Sequence, residues 1–269
     1  MVPSAERFLR YFFRHRLDYI ANDFGWVHDK SLQLRRRTAS CRTVKNQCAL
    51  ADASDVASRD SVKDLGARTF SREVLSANQP FKTRLIVYRP EDPRRFSGTV
   101  IVETLHPSGG GTSLLWRALH GFFAGRGDAY VGVQHPLTFG VVKAADAGRY
   151  GALSASSPTQ LWGMLRLAGA LLRSGEGGLL PGMSGKRILM TGYSYTGDAT
   201  ATFANYHHAS ATFNGRNIFD GYLPMADAQY IRPLDVPVIR LNTQSDDNSF
   251  GGLANRRTSI AWLEKNFVN

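Results

Sequence analysis

From residue 83 onward the chain alternates short, almost wholly apolar runs with stretches whose apolar residues recur at helical spacing, and few architectures accept that order. The runs are residues 83–88 (TRLIVY), 98–104 (GTVIVET), 129–134 (AYVGVQ), 187–191 (RILMT), 219–225 (FDGYLPM) and 236–242 (VPVIRLN). Strands apolar on both faces belong in a sheet covered from both sides. Between the second and third runs, Leu114, Leu115, Ala118, Leu119 and Phe122 share one helical face, which Gly125 and Gly127 close. Leu161, Met164, Leu165, Ala168 and Leu172 mark a second helix. Strands and helices in alternation build βαβ units. The expectation is an α/β domain with a mostly parallel twisted sheet and helices on both faces.

The chain has 269 residues, of which 43% are hydrophobic, and this suffices for one large core rather than two small ones. No run approaches the roughly 18 apolar residues of a membrane span; the richest segment, 161–172, is interrupted by Arg166. Ahead of the alternation the pattern is poor. Arg7, Arg10, Arg14 and Arg16 stand among Phe8, Leu9, Tyr11, Phe12 and Phe13, as in a short basic amphipathic helix. No apolar core or small-residue cleavage site follows, so a secretory signal is not supported. Residues 31–60 are polar and rich in Ser, Ala and Asp, which predicts an irregular lead-in. The expected organisation is a basic, poorly structured segment over 1–60 and the α/β domain over 61–269.

The net charge of +11 raises the question of a polyanionic partner. Arg35, Arg36, Arg37, Arg42 and Lys45 form the one dense basic run. It has no zinc-finger spacing, no RNP-like aromatic pattern and no heptads beside it, so it reads as a solvated segment and no nucleic-acid partner is expected. Cys41 and Cys48 are the only cysteines and have no histidine cluster to make a zinc signature. The Gly109–Gly110–Gly111 run lacks the Lys-Ser/Thr of a phosphate-binding loop. No metal or other cofactor is implied.

The sharpest local signal is Gly192-Tyr193-Ser194-Tyr195-Thr196-Gly197, where an apolar strand ends and a helix begins. A tight turn at that place lifts a serine hydroxyl clear of the sheet and crowds its neighbours, so small residues are needed around it. The helix start behind Ser194 also offers free N–H groups to developing negative charge. The common elbow reads G-x-S-x-G, whereas here the glycine falls one place later. Ser194 is the candidate nucleophile. The backbone N–H of Tyr195, with those near Leu105 and His106 in the loop after the 98–104 strand, is the candidate oxyanion hole.

In this order of elements an acid follows the serine and a histidine follows the acid. Asp246, directly after the 236–242 strand, is the candidate acid, with Asp247 and Asp227 as fallbacks. The histidines are His15, His28, His106, His120, His135, His207 and His208, and none lies beyond Asp246. At 1.5 Å per residue, His207 and His208 would stand roughly 20 Å from Ser194 along its helix, too far to act as base. His106 sits beside the expected site and His135 at another strand end.

Six stretches in order, KTRLIVYRPEDPRRFSGTVIVETL, YVGVQHP, GRYGAL, ILMTGYSYTG, FDGYLP and PVIRLNTQSD, resemble the family called alpha/beta hydrolase domain. The resemblance covers about residues 65–247. It implies the α/β-hydrolase fold, Ser194 as nucleophile, Asp246 as acid and Glu103 as a residue close to the site. It accommodates the glycine at the third position after the serine. Members continue past the acid to a histidine segment, so truncation is the simplest explanation of the missing base. The function implied is hydrolysis of a small-molecule carboxylic ester. The alternative is a hydrolase-fold protein that binds without catalysing, its base lost.

Overall fold

The computed structural model describes residues 55–62, 68–76, 79–227 and 231–242. Strands β1 (Asp55–Val62) and β2 (Arg68–Ser76) pair antiparallel as a separate two-stranded sheet. The lead-in expected to be irregular through residue 60 therefore gives way to strand from Asp55. Its polar sequence has no two-residue period of its own, so the hairpin is legible only in the pairing.

The central sheet holds β3 (Leu85–Tyr88), β4 (Thr99–Thr104), β5 (Ala129–Val133), β6 (Arg187–Tyr193) and, after a small hairpin, β9 (Gly221–Met225). Its order is β3-β5-β4-β6-β9, with β3 antiparallel to β5 and every other pair parallel. All residues of β4 and β5 are buried, as their unbroken apolar runs require. The small hairpin joins β7 (Thr212–Phe213) to β8 (Arg216–Asn217) through Asn214 and Gly215, both at positive φ. That Asn-Gly pair is a strong hairpin signal in the sequence.

Four helices matter to the site: α1 (Leu114–Arg126), α2 (Phe139–Ala145), α3 (Leu161–Ser174) and α4 (Tyr195–Thr202). The α3 stripe is wider than its sequence period, because Leu167, Ala170 and Leu171 are buried as well as the expected five. Each fully buried leucine there contributes about 1.5–3 kcal/mol.

The run 236–242, expected as a full strand, joins the edge of β9 only as two parallel bridges, Tyr222 with Val238 and Met225 with Leu241. The N–H groups of Tyr222, Ile239, Leu241 and Ala226 all donate across this seam. Pro224, in the middle of β9, has no N–H to continue the ladder, so the pairing breaks there.

The connection from β4 through α1 leads to β5 on one side, whereas those from β5 to β6 and from β6 to β9 run the other way. Right-handed crossovers running in opposite directions place their helices on opposite faces of the sheet. The reversal opens a crevice at the carboxyl ends of β4 and β6, the place where open α/β sheets bind ligands.

Candidate active site

Ser194 stands in that crevice, exposed, between the last residue of β6 and the first of α4. Its backbone has φ 55 and ψ −123, a conformation a β-carbon resists, and its N–H donates to the carbonyl of Met225 at the end of β9 (2.9 Å). The two flanking glycines are needed for space. A β-carbon at Gly192 would lie 1.9 Å from the Thr196 carbonyl oxygen, and one at Gly197 would lie 2.2 Å from that of Met225. The position between them is occupied by fully buried Thr196, whose hydroxyl donates to the Tyr193 carbonyl and accepts the Tyr193 N–H, both at 3.0 Å. The departure from G-x-S-x-G thus has a local cause. The third residue after Ser194 packs on the β9 carbonyl, and the second ties the turn to its own strand. The N–H of Tyr195 opens α4, where the first turn has no intrahelical acceptor.

Carried past the strand ends, the parallel registers set His135, His106, Ser194 and Ala226 in one row across β5, β4, β6 and β9. Ala226, next to Ser194 in that row, also has positive φ (50°). After β4, His106 and Thr112 exchange backbone hydrogen bonds (2.9 Å each) and close a loop around residues 107–111. Gly111, at φ 102, lies so close to Gln134 that a β-carbon would meet its Nε2 at 2.3 Å. Buried Gln134 donates from that amide to the Gly110 carbonyl (3.1 Å) and to the Thr138 hydroxyl. The loop is held from beneath.

The two loop N–H groups expected in the oxyanion hole are occupied. Leu105, fully buried, donates its N–H to the Val133 carbonyl (2.9 Å), continuing the sheet, and His106 donates to Thr112. Both are spent on holding the loop, and this corrects their expected place as donors. Tyr195, next to Ser194 in the chain, is half-exposed, with its ring edge-on to His135 at 5.5 Å.

Two imidazoles stand on one side of the serine in the row. His106 accepts the Ser108 N–H at Nδ1 (3.2 Å), and His135 accepts the Leu137 N–H at Nδ1 (3.1 Å). A ring that accepts at Nδ1 carries its proton on Nε2 when neutral. Burial lowers the pKa of His106, and burial with the nearby His106 lowers that of His135 to about 4. The other described histidines are elsewhere. His208 bonds Tyr222 (2.8 Å) and Asp235 (2.5 Å), His207 lies between Trp162 and Phe203, and His120 sits on α1.

Glu103, expected near the site without a role, is fully buried beneath the crevice. Its carboxylate accepts the N–H groups of Leu115 (2.9 Å) and Trp116 (3.3 Å) at the start of α1, and the Tyr130 hydroxyl (2.6 Å). It caps α1 and thereby anchors the far side of the 107–111 loop. Burial raises its pKa against the pull of those hydrogen bonds. Trp116 in turn stacks on Tyr88 at 4.1 Å.

Asp246, the candidate acid, and Asp247 lie outside the described residues, as do His15 and His28. Asp227, the remaining fallback, follows β9 and is 1% exposed. Its Oδ1 accepts from Arg240 Nε (2.7 Å), and Arg240 Nη2 also reaches its backbone carbonyl (2.8 Å). Among the described residues Oδ2 has no partner. Burial raises its pKa to about 6 despite the Arg240 cation. A β-carbon at Gly197 would lie 3.4 Å from its Cβ, which places Asp227 against the first turn of α4. Among the described residues no three His, Cys, Asp or Glu side chains converge as metal ligands, and no helix is long and apolar enough to cross a membrane.

Comparison with known proteins gives one family. Residues 51–261 match the alpha/beta hydrolase domain. No curated protein matches the chain. Among solved structures, a family 15 carbohydrate esterase, a glucuronoyl esterase from Caldicellulosiruptor kristjansonii, is 17% identical with a TM-score of 0.34, over 65% of this chain and 45% of that one. A hyperthermophilic esterase from Pyrobaculum calidifontis is 16% identical (TM-score 0.34; 64% and 45%). A thermophilic esterase from Thermogutta terrifontis is also 16% identical (TM-score 0.35; 66% and 58%). The chain spans less than two thirds of the length of each. With the family model covering most of its residues, the chain belongs to the alpha/beta hydrolase domain family.

Proposed function

We propose that the protein is a serine hydrolase of small-molecule carboxylic esters, with Ser194 at a nucleophile elbow. The observation that carries this reading is the backbone of Ser194, a non-glycine residue held at φ 55 and exposed above two glycines that admit no side chain. A fold keeps such strain where a particular side chain must stand in a particular place. Ser194 Oγ attacks the ester carbonyl, the alcohol leaves with a proton, and water later releases the acyl group. The Tyr195 N–H faces the charge that develops on the carbonyl oxygen.

The acid of the reading is Asp246 by its order in the chain. The open Oδ2 of Asp227 supports that residue instead, since a triad acid must still have an oxygen to accept a histidine N–H. The base of the reading is not evident among the described residues, since His106 and His135 accept at Nδ1 and leave only a protonated Nε2 to face a serine.

Reaction with a fluorophosphonate probe and turnover of p-nitrophenyl acetate test the reading. The expected result is labelling of the wild-type chain and loss of both signals in Ser194→Ala. A folded wild-type chain that neither labels nor turns over removes the ester hydrolase reading and leaves the non-catalytic one.

A further inference from the structure

The N–H groups of Leu105, His106 and Ser108 after β4 are already used, and the side chain of His106 offers a further donor at the same strand end. We propose, resting on the ester hydrolase reading above, that the imidazole of His106 supplies it, donating Nε2–H to the carbonyl oxygen at which Ser194 reacts. Four observations meet here. β4 and β6 are neighbouring parallel strands paired through Glu103 and Thr191, and His106 and Ser194 each stand three residues beyond that pair, at the switch in sheet order. The Ser108 N–H occupies Nδ1, which fixes the Nε2–H tautomer and turns Nε2, on the far side of the ring, away from the loop. Among the described residues Nε2 has no hydrogen-bond partner, and the side chain is half-buried. The loop that carries the ring is braced by the exchange with Thr112 and by Gln134 underneath, so the donor is set before substrate arrives.

His135 fits the same scheme as a neighbour. Its Nδ1 is also taken by a backbone N–H, its ring is 3% exposed, and it lies edge-on to Tyr195, the residue that bears the other donor. Burial keeps both rings of the row uncharged at neutral pH. The oxyanion is met by N–H dipoles at Tyr195 and His106.

The test compares full-length wild type, His106→Ala and His106→Gln for p-nitrophenyl acetate turnover and for the rate of Ser194 phosphonylation. Removing one oxyanion donor lowers kcat by about 10²–10³. His106→Ala should show that loss with KM changed only a few-fold. His106→Gln, which keeps a side-chain N–H but cannot serve as a base, should recover tenfold or more. Nitrogen-15 imidazole spectra of the wild type should show His106 protonated at Nε2 and bare at Nδ1 at neutral pH. The proposal is overturned if His106→Ala keeps kcat within threefold, if its loss lies in KM alone, if the glutamine variant is as inactive as the alanine one, or if the ring is protonated at Nδ1. Should His106→Ala fail to fold, the tautomer and the glutamine variant decide. A wild type that labels at Ser194, with His106→Ala labelling equally fast, sinks only this inference; an inert wild type sinks the hydrolase reading with it.

Discussion

Two buried carboxylates flank the serine strand, one on β4 and one just past β9, and their surroundings differ. Glu103 has both oxygens engaged, by two helix N–H groups and a tyrosine hydroxyl. Asp227 has one oxygen held by Arg240 and the other without a partner among the described residues. Both pay the same kind of desolvation penalty, and burial raises the pKa of each. A buried acid whose hydrogen bonds are complete serves the architecture. One that is left half-satisfied costs stability, and the crevice is where an unfilled acceptor is of use.

The largest expected effect separates the two by catalysis. Asp227→Asn should lower kcat for p-nitrophenyl acetate by about 10²–10⁴, the range for a triad acid made unable to orient its histidine. Glu103→Gln should leave kcat per folded molecule within about threefold, since it keeps an acceptor oxygen for α1. If Asp227→Asn is active and Asp246→Asn is not, the open oxygen is not the triad acid and the comparison fails. The next effect is on stability. Glu103→Ala leaves the Leu115 and Trp116 N–H groups and the Tyr130 hydroxyl unanswered and should cost about 2–4 kcal/mol in urea unfolding. An equal loss in Asp227→Asn would show that both acids are structural. The smallest effect is in pH dependence. The folded pKa of Asp227, about 6, lies above the ordinary carboxyl value of 3.8, so its penalty is present above pH 6 and is relieved as the folded protein takes up a proton below it. Between pH 7.5 and 5 the wild type should gain about 1 kcal/mol of stability relative to Asp227→Asn. A flat difference would place the Asp227 carboxyl in an ordinary, wetter setting.

The sequence carried the sheet because its strands are apolar throughout, and it carried the strand–turn–helix position of Ser194 because those elements are contiguous there. What it could not carry depends on residues far apart in the chain. The glycine at position 197 makes sense only once the Met225 carbonyl is seen against it. Glu103 reads as one acid at the end of a strand until α1 is found starting above it. The Leu105 and His106 N–H groups look free in a glycine-rich loop, and are consumed by Val133 and Thr112. The 236–242 run has the composition of a strand, but Pro224 on its partner interrupts the ladder. The β1–β2 hairpin has no alternation in its polar first arm to announce it.

The conformation of Ser194 has a consequence for how the chain could change. At φ 55 a glycine would sit more easily than any residue with a side chain, and holding a side chain in such a region costs on the order of 1–3 kcal/mol. A stability-driven redesign, or any search scored on melting temperature alone, would therefore be drawn toward glycine at this position and would delete the hydroxyl on its way uphill. On the proposed reading, the hydroxyl and the stability of the fold pull against each other at one backbone angle.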